Sequence, residues 1–179
     1  MEQRMITAID EGGQLYPIDK LGAHRLGTRH VAISVFVFSG TQVLLQQRAP
    51  GKYHSAGQWA NACCSHPDWG EAVIDCAHRR LKEEMGLDLP VHSAGIMDYR
   101  ADVGSGLVEN EHVHLFSAEC EAEGVMIRPD PAEVSDYRWL DIVALRQEIA
   151  ESPCAFTPWL RIYLRRSGET GIVRLQGQP

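Results

Sequence analysis

The stretch that decides the fold class is EAVIDCAHRRLKEEMG, residues 71–86. Its apolar residues recur every three or four positions, which predicts an amphipathic helix with one buried stripe. The residues expected in that stripe are Val73, Ile74, Ala77, Leu81 and Met85. A glycine, Gly86, follows where a helix C-cap is expected, so the helix should end there.

Strand signals lie on both sides of this helix. The β-prone run HVAISVFVF (30–38) is joined by SGT to a second run, QVLLQQR (42–48). Upstream, MITAID and QLYPID flank the turn signal EGG and predict a hairpin. Further strands are expected near 94–101, 107–118 and 137–140, and helices in DIVALRQEIAES and PWLRIYLRR. Strands before and after one central helix predict an α/β (α+β) sandwich with terminal helices.

Length and composition indicate one domain, residues 1–179, with a flexible tail at 169–179. The net charge of -7 and the absence of any basic tract argue against nucleic acid as a partner. No apolar run approaches about 18 residues and the start lacks a signal-peptide pattern, so no membrane association is expected. Five cysteines, an odd number, suggest reduced thiols in a cytoplasm.

Residues 49–70 read as one long loop, which in a compact domain is usually functional. It contains WANACCSHP, in which Cys63 and Cys64 are adjacent and precede His66. Neighbouring cysteines are poor disulfide partners because a bridge distorts the peptide between them. A metal clip, a redox pair, a catalytic thiol and simple packing all remain open. A helix beginning near Glu71 would lower the pKa of the Cys64 thiol.

The strand LVENEHVHLF (107–116) offers two sets of ligands on opposite faces. Glu109 and Glu111 project to one face, and His112 and His114 project to the other. Either face could be a solvated surface, and at most one is expected to line a site. Three other histidines, His24, His30 and His66, could join the two carboxylates around a divalent ion such as Mn²⁺, Mg²⁺ or Zn²⁺.

The central helix carries two pairs of opposite charges four residues apart. These are Arg79 with Glu83 and Arg80 with Glu84. They are either ordinary surface ion pairs or, for the second pair, ligands for phosphate and for Mg²⁺.

The pattern S-x5-E-x7-R-R-L-K-E-E-M-G-L (65–87) resembles a degenerate Nudix box. The usual box begins with Gly where this chain has Ser65, and has Glu where this chain has Arg80. These departures are similar to those of the type 1 isopentenyl-diphosphate Δ-isomerases. The motifs QQRAPGK (46–52), WANACCSHP (59–67), YRADVGSGLVENE (99–111) and FTPW (156–159) also resemble that family and occur in its order.

The resemblance covers about residues 20–159 and implies a Nudix-type mixed sheet between helices, with a core at about 28–162. It implies an isomerase of isoprenoid biosynthesis that interconverts isopentenyl and dimethylallyl diphosphate through a tertiary carbocation. The implied catalytic residues are Cys64, Glu111, Tyr99 and Trp159, and the implied diphosphate-binding residues are Lys20, Arg48, Lys52 and Arg80. The implied ligands of one Mn²⁺ or Mg²⁺ (or Zn²⁺) are His24, His30, His66, Glu109 and Glu111. Glu84 would hold a second ion, the Mg²⁺ that arrives with the substrate.

Two other functions remain as alternatives. A Nudix pyrophosphohydrolase would cleave a nucleoside diphosphate derivative, although Arg80 removes a carboxylate from its metal cluster. A non-enzymatic metal-binding or redox module would use the cysteines and His66 and would unfold without its ion. The isomerase hypothesis predicts a small isoprenoid diphosphate as partner and a monomer or weak dimer.

Overall fold

The structure, a computed structural model, describes residues 4–176. Its strands are β1 (Met5–Ile9), β2 (Leu15–Asp19), β3 (His30–Ser39), β4 (Gln42–Arg48), β5 (Trp59–Asn61), β6 (Cys63–Ser65), β7 (His92–Gly104), β8 (Leu107–Glu119) and β9 (Val134–Asp141). Its α-helices are α1 (Lys20–Leu26), α2 (Val73–Met85), α3 (Ile142–Glu151) and α4 (Pro158–Arg165), followed by short 3-10 turns at Ser167–Glu169 and Val173–Gln176. Across residues 4–176, none of the helices has the length and apolar character needed to cross a bilayer.

Strand β3 lies at the centre of a mixed sheet. It pairs in parallel with β8 from His30 to Phe38, and antiparallel with β6 through residues 33–35. The C-terminal end of β3 pairs with β4. Strand β4 also pairs with β5 and β9. The β-branched and aromatic residues of β3 are buried on both faces, as expected of a central strand.

Helices cover both faces of this sheet. Helix α2 packs on one face, where Cys76, Ala77 and Leu81 meet the odd-numbered valines of β3. Helices α3 and α4 pack on the other, where Leu160 and Tyr163 join a second apolar cluster. The predicted α/β/α sandwich with an N-terminal hairpin and C-terminal helices is therefore confirmed.

The region 49–70 is not one continuous loop, as the sequence suggested. Its second half forms β5 and β6, because three residues of each strand pair with β4 and β3 respectively. The expected stripe of α2 is also wrong in one member: Ile74 is exposed, and Cys76 lies in the core instead. Gly86 ends the helix in the left-handed conformation at φ 69°, as predicted.

Residues 169–176, which the sequence predicted as part of a flexible tail, contact the rest of the domain in the structure. Ile172 and Leu175 are buried in the apolar cluster of α3 and α4, and Arg146 donates a hydrogen bond to Ser167 Oγ at 3.0 Å and another to the Leu175 carbonyl. These contacts fix the segment to the domain. The last part of the expected tail, 177–179, lies outside the described residues.

Candidate active site

A small polar cavity opens on the side of the sheet that α4 covers. Its walls come from α1, β3, β4, β6, β7, β8, α4 and the loop after β4. Its lining residues are Lys20, Ile33, Arg48, Lys52, Tyr53, His54, Cys64, Ser65, His66, Tyr99, Glu109, Glu111 and Trp159. The cavity volume is about 30 Å³, which is room for only a few water molecules. Nine of the thirteen residues expected in the site therefore line one cavity, and His24 and His30 contact its lining residue His66.

Cys64 is held in the cavity wall by hydrogen bonds to its sulfur. Its Sγ donates to Asn61 Oδ1 at 3.1 Å and lies 3.2 Å from Ser34 Oγ. The Asn61 amide in turn donates to Ser34 Oγ at 3.0 Å and to the Val35 carbonyl at 2.9 Å. Because successive residues of a strand face opposite sides, Cys63 points into the α2 core and is fully buried there. Only the second cysteine thus faces the cavity.

The expected lowering of the pKa of Cys64 is wrong for this structure. Burial raises the pKa of the Cys64 thiol to about 12, even though the hydrogen bond from Ser34 acts in the opposite direction. The N-terminus of α2 lies on the face of the sheet toward which Cys63 points, so it does not support a thiolate at Cys64. Cys64 is therefore a neutral thiol in the ligand-free protein at neutral pH.

Glu109 and Glu111 project into the cavity from β8, and both meet the hydroxyl of Tyr99. The Tyr99 oxygen lies 2.8 Å from Glu109 Oε2 and 2.7 Å from Glu111 Oε2. Burial and the neighbouring Glu111 hold the pKa of Glu109 well above its usual range. Burial would also raise the pKa of Glu111, but the rings of His30 and His66 outweigh it and hold that pKa well below the usual range. The pair thus keeps one carboxyl ionised, and this is the one beside the histidines.

A group of four donors suited to a divalent ion lies at the inner end of the cavity. The donor atoms of His24, His30, His66 and Glu111 all lie within 4.8 Å of one another, and all four side chains are buried. His66 Nε2 is 2.9 Å from Glu111 Oε1 and 3.2 Å from His30 Nε2. Imidazole and carboxylate are common ligands of Mn, Zn and related divalent ions. Four of the five predicted ligands therefore converge, whereas Glu109 falls in a second group with His24 and His54. His112 and His114 lie on the opposite face of β8.

The orientation of the imidazoles fits a bound ion. The Nδ1 atoms of His24 and His30 each lie 2.7 Å from a backbone carbonyl, of Lys20 and Thr28 respectively. A proton on Nδ1 leaves Nε2 free as a ligand, the arrangement that metal-binding histidines usually show. The Nε2 of His24 is buried and has no hydrogen-bond partner among the described residues. Burial also lowers the pKa of His24 to about 4, so its ring is neutral, as a metal ligand requires.

Three cations and an indole line the outer part of the cavity. The Arg48 guanidinium lies 5.1 Å from the centre of the Trp159 ring, and Lys20 Nζ lies 5.4 Å from that of Tyr53. Burial and the nearby Lys52 ammonium lower the pKa of Lys20 to about 8. Three cations in one cavity wall of a chain of net charge -7 make this part of the cavity suited to an anion, although Lys52 is already paired with Glu133.

Arg80 and Glu84 do not line the cavity, although the sequence placed both in the site. Arg80 donates to Glu84 Oε1 at 2.7 Å, to Glu83 Oε2 at 2.6 Å and to Glu133 Oε1 at 3.0 Å. Glu133 also accepts a hydrogen bond from Lys52 at the cavity edge. These carboxylates therefore pair with Lys52 and Arg80, two of the four cations that the sequence assigned to a diphosphate.

Sequence reasoning missed several residues of the site. Ser34 and Asn61 hold the Cys64 sulfur, Glu133 binds the cations, and Tyr53 and His54 cover the cavity. His54 lies two residues after Lys52 in the loop between β4 and β5, and this position was the only signal for it in the sequence.

Comparison with known proteins first defines the class. Residues 28–160 match the NUDIX domain family. Among solved structures, a protein of Deinococcus radiodurans superimposes with a TM-score of 0.71 over 90% of this chain and 98% of its own, at 14% identity. A Nudix hydrolase of M. smegmatis gives a TM-score of 0.57 over 91% of this chain and 92% of its own, at 20% identity. At these identities the likeness shows the fold, which is that of a NUDIX domain.

Curated relatives narrow the class to one branch. The isopentenyl-diphosphate Delta-isomerase of Cereibacter sphaeroides is 56% identical over 153 residues, which are 85% of this chain and 86% of that protein. The protein of the same name from Rhodobacter capsulatus is 53% identical over 167 residues, 93% of this chain and 94% of that protein. The chain belongs to the isopentenyl-diphosphate Delta-isomerase family, as its motifs predicted.

Proposed function

We propose that this protein interconverts isopentenyl diphosphate and dimethylallyl diphosphate as a cytoplasmic step of isoprenoid biosynthesis, acting as a monomer or weak dimer. The observation that carries the proposal is that Cys64 and Glu111, from separate strands, line one cavity beside Tyr99 and Trp159. The curated relatives, which match 85% and 93% of the chain, are named for that activity.

The reaction adds a proton to C4 of the alkene and removes one from C2, with a tertiary cation at C3 between the two steps. It therefore needs one group that carries a proton and one that accepts it. The ligand-free site offers this combination, since Cys64 is a thiol and Glu111 is a carboxylate. The roles interchange between the two directions, and Tyr99 is positioned to pass a proton to or from Glu111 at 2.7 Å.

The cavity supplies what an unstable cation requires. The buried Trp159 presents a π face, which in a desolvated site stabilises a positive charge by about 2 kcal/mol. The reacting groups are themselves buried, because Tyr99, Glu111 and Trp159 are each less than 10% exposed, and this burial limits the water that could trap the cation. Lys20, Arg48 and Lys52 bind the diphosphate oxygens and hold the five-carbon skeleton between Cys64 and Glu111.

The buried histidines and glutamates hold one Mn²⁺ or Mg²⁺ (or Zn²⁺), with His24, His30, His66, Glu109 and Glu111 as ligands. Such an ion supplies positive charge that keeps Glu111 ionised and fixed in position. When diphosphate binds, Arg80 would contact its oxygens in place of Glu84, and Glu84 would hold the Mg²⁺ that accompanies it.

The test is direct. Purified protein is incubated with isopentenyl diphosphate and Mg²⁺, and the product is followed by proton NMR together with an assay for released phosphate. The proposal expects dimethylallyl diphosphate at equilibrium with the substrate and no phosphate. Release of phosphate without isomerisation would instead show the Nudix pyrophosphohydrolase.

A further inference from the structure

His54 is a buried histidine of the cavity to which the isomerase mechanism above gives no role. It lies in the loop 49–58 between β4 and β5 and is 7% exposed. Its ring stacks at 5.8 Å on His24 and meets the Trp159 ring edge-on at 5.8 Å. The residue therefore lies in the cavity wall, next to the expected ligand His24 and to the Trp159 indole.

The geometry around His54 is that of a ligand group. The donor atoms of His24, His54 and Glu109 lie within 4.8 Å of one another, and this group shares His24 with the inner one. His54 Nε2 is 3.7 Å from Glu109 Oε1, which is longer than a hydrogen bond. Two ligand atoms that each lie about 2.1 Å from one ion are about 3 Å apart when the angle between them at the ion is 90°. They are about 4.2 Å apart when they lie on opposite sides of the ion. The observed distance falls between these limits.

The ring is oriented as a ligand would be. Its Nδ1 faces Ser55 Oγ at 3.4 Å, which leaves Nε2 directed toward Glu109. The carbonyl of His54 accepts a hydrogen bond from Arg48 Nη2 at 3.1 Å. The ends of the loop are joined by a hydrogen bond from the Arg48 amide to the Gln58 carbonyl at 3.0 Å. The loop can thus move at its tip while its ends remain fixed.

Something in the cavity wall has to move before a ligand can enter. About 30 Å³ cannot hold a five-carbon chain with a diphosphate. Tyr53 and His54 form the outer wall, and Tyr53 is 40% exposed. Lys52, on the same loop, is a cation that an incoming diphosphate attracts away from Glu133. Anion binding to Lys52 would therefore displace the loop tip that carries His54.

We propose that His54 is a removable ligand of the divalent ion. It adds a fourth imidazole to those of His24, His30 and His66 in the ligand-free protein, and it leaves when a diphosphate binds to the loop. Ligation by His54 closes the ion to water and keeps the cavity shut until the anion arrives. Only the release step rests on the proposed function; ligation of the ion does not.

The test counts nitrogen ligands on Mn²⁺. Pulsed EPR of the Mn²⁺-loaded protein should show four coordinated imidazoles in the wild type and three in His54→Ala. His78→Ala, which removes an exposed histidine of α2, should keep four. Transfer of Mn²⁺ to a chelator should be about tenfold faster in His54→Ala than in either other protein. His54→Asn is the second variant, because asparagine is closer to histidine than alanine is in polarity and volume. Thermal melting of the metal-free proteins shows whether each variant folds.

Inorganic diphosphate is the probe for release. The wild type should fall from four imidazoles to three when diphosphate is added, and His54→Ala should stay at three. Three imidazoles in the ligand-free wild type would overturn ligation by His54, and four that persist with diphosphate would overturn its release. Neither result bears on isomerisation, which is measured separately by product NMR.

Discussion

Cys64 and Glu111 lie on the two strands that border β3, where Cys64 pairs with Ser34 and Glu111 pairs with His30. The two pairing positions are separated by about 13 Å along β3. The thiol and the carboxylate therefore line the same cavity from different strands. They also lie next to positions of β3 that are four residues apart. In the proposed mechanism, a short carbon skeleton between them would have a proton-carrying group on one side and a proton acceptor on the other.

Asn61 is expected to act as a positioning residue for Cys64. It is fully buried and accepts the hydrogen bond of Sγ while its amide holds Ser34. Asn61→Ala should lower kcat by about 10- to 100-fold with little change in KM, because the sulfur loses its orientation but the anion site stays. Steady-state kinetics measure this split. Gln42→Ala, at an exposed amide side chain of β4, is the control, and an equal loss there would argue for a general effect on folding.

Glu133 should make the stability depend on acid pH. Burial acts to raise its pKa, but the hydrogen bonds from Lys52 and Arg80 outweigh burial and lower it from 4.5 to about 2. A lowered carboxyl pKa stabilises the fold fully above about pH 4.5, and this stabilisation is lost as the pH falls toward 2. The shift corresponds to about 3 kcal/mol.

Urea unfolding at several pH values measures that contribution. Glu133→Gln should be less stable than the wild type near pH 6, and the difference should shrink toward pH 2. Glu123→Gln, at an exposed carboxylate, should match the wild type throughout. If the difference in stability between Glu133→Gln and the wild type does not change with pH, the ion-pair explanation is contradicted.

The segment 170–176 should contribute to stability although it follows the last α-helix. Leu175 is fully buried, so Leu175→Ala should lower the free energy of unfolding by about 2–5 kcal/mol. Val173 is 65% exposed, and Val173→Ala should change the free energy of unfolding by less than about 0.5 kcal/mol. Denaturant titrations compare the two. Equal small effects would mean that the segment is frayed after all.

Removal of divalent ions should abolish turnover without unfolding the protein. The two apolar clusters of the core contain none of the expected ligands, so the sheet and its helices do not depend on the ion. After dialysis against a chelator, the far-UV circular dichroism should persist, and added Mn²⁺ or Mg²⁺ should restore activity. Global unfolding on chelation would favour the structural metal module.

The fold could be read from sequence where the signal is local. The runs that became β3 and β4 are strongly β-prone, and the period and final glycine of α2 mark both its face and its end. Strands β5 and β6 were missed because three residues carry almost no local preference and are held by pairing with β4 and β3. The prediction that Ile74 is buried was wrong because helical periodicity does not determine which of two neighbouring positions is buried at the edge of an apolar face.

The site was only partly predictable for the same reason. Motif resemblance supplied Cys64, Glu111 and the three histidines, and the structure brings these residues together. The protonation of Cys64 could not be predicted, because it depends on how deeply the folded chain buries the thiol. His54 and Glu133 lie in irregular segments, and only the folded chain brings them to Glu109 and Lys52.

Isomerisation in D2O tests the central claim most directly, with isopentenyl diphosphate and Mg²⁺ supplied and the product read by NMR. The wild type and Cys63→Ala should place solvent deuterium in the methyl group of dimethylallyl diphosphate at similar rates. Cys64→Ala and Glu111→Gln should each slow this by about 10²- to 10⁴-fold, and the double variant should be little worse, because acid and base act as a unit. Near-normal deuterium incorporation by Cys64→Ala, or its loss in Cys63→Ala alone, would contradict the assignment.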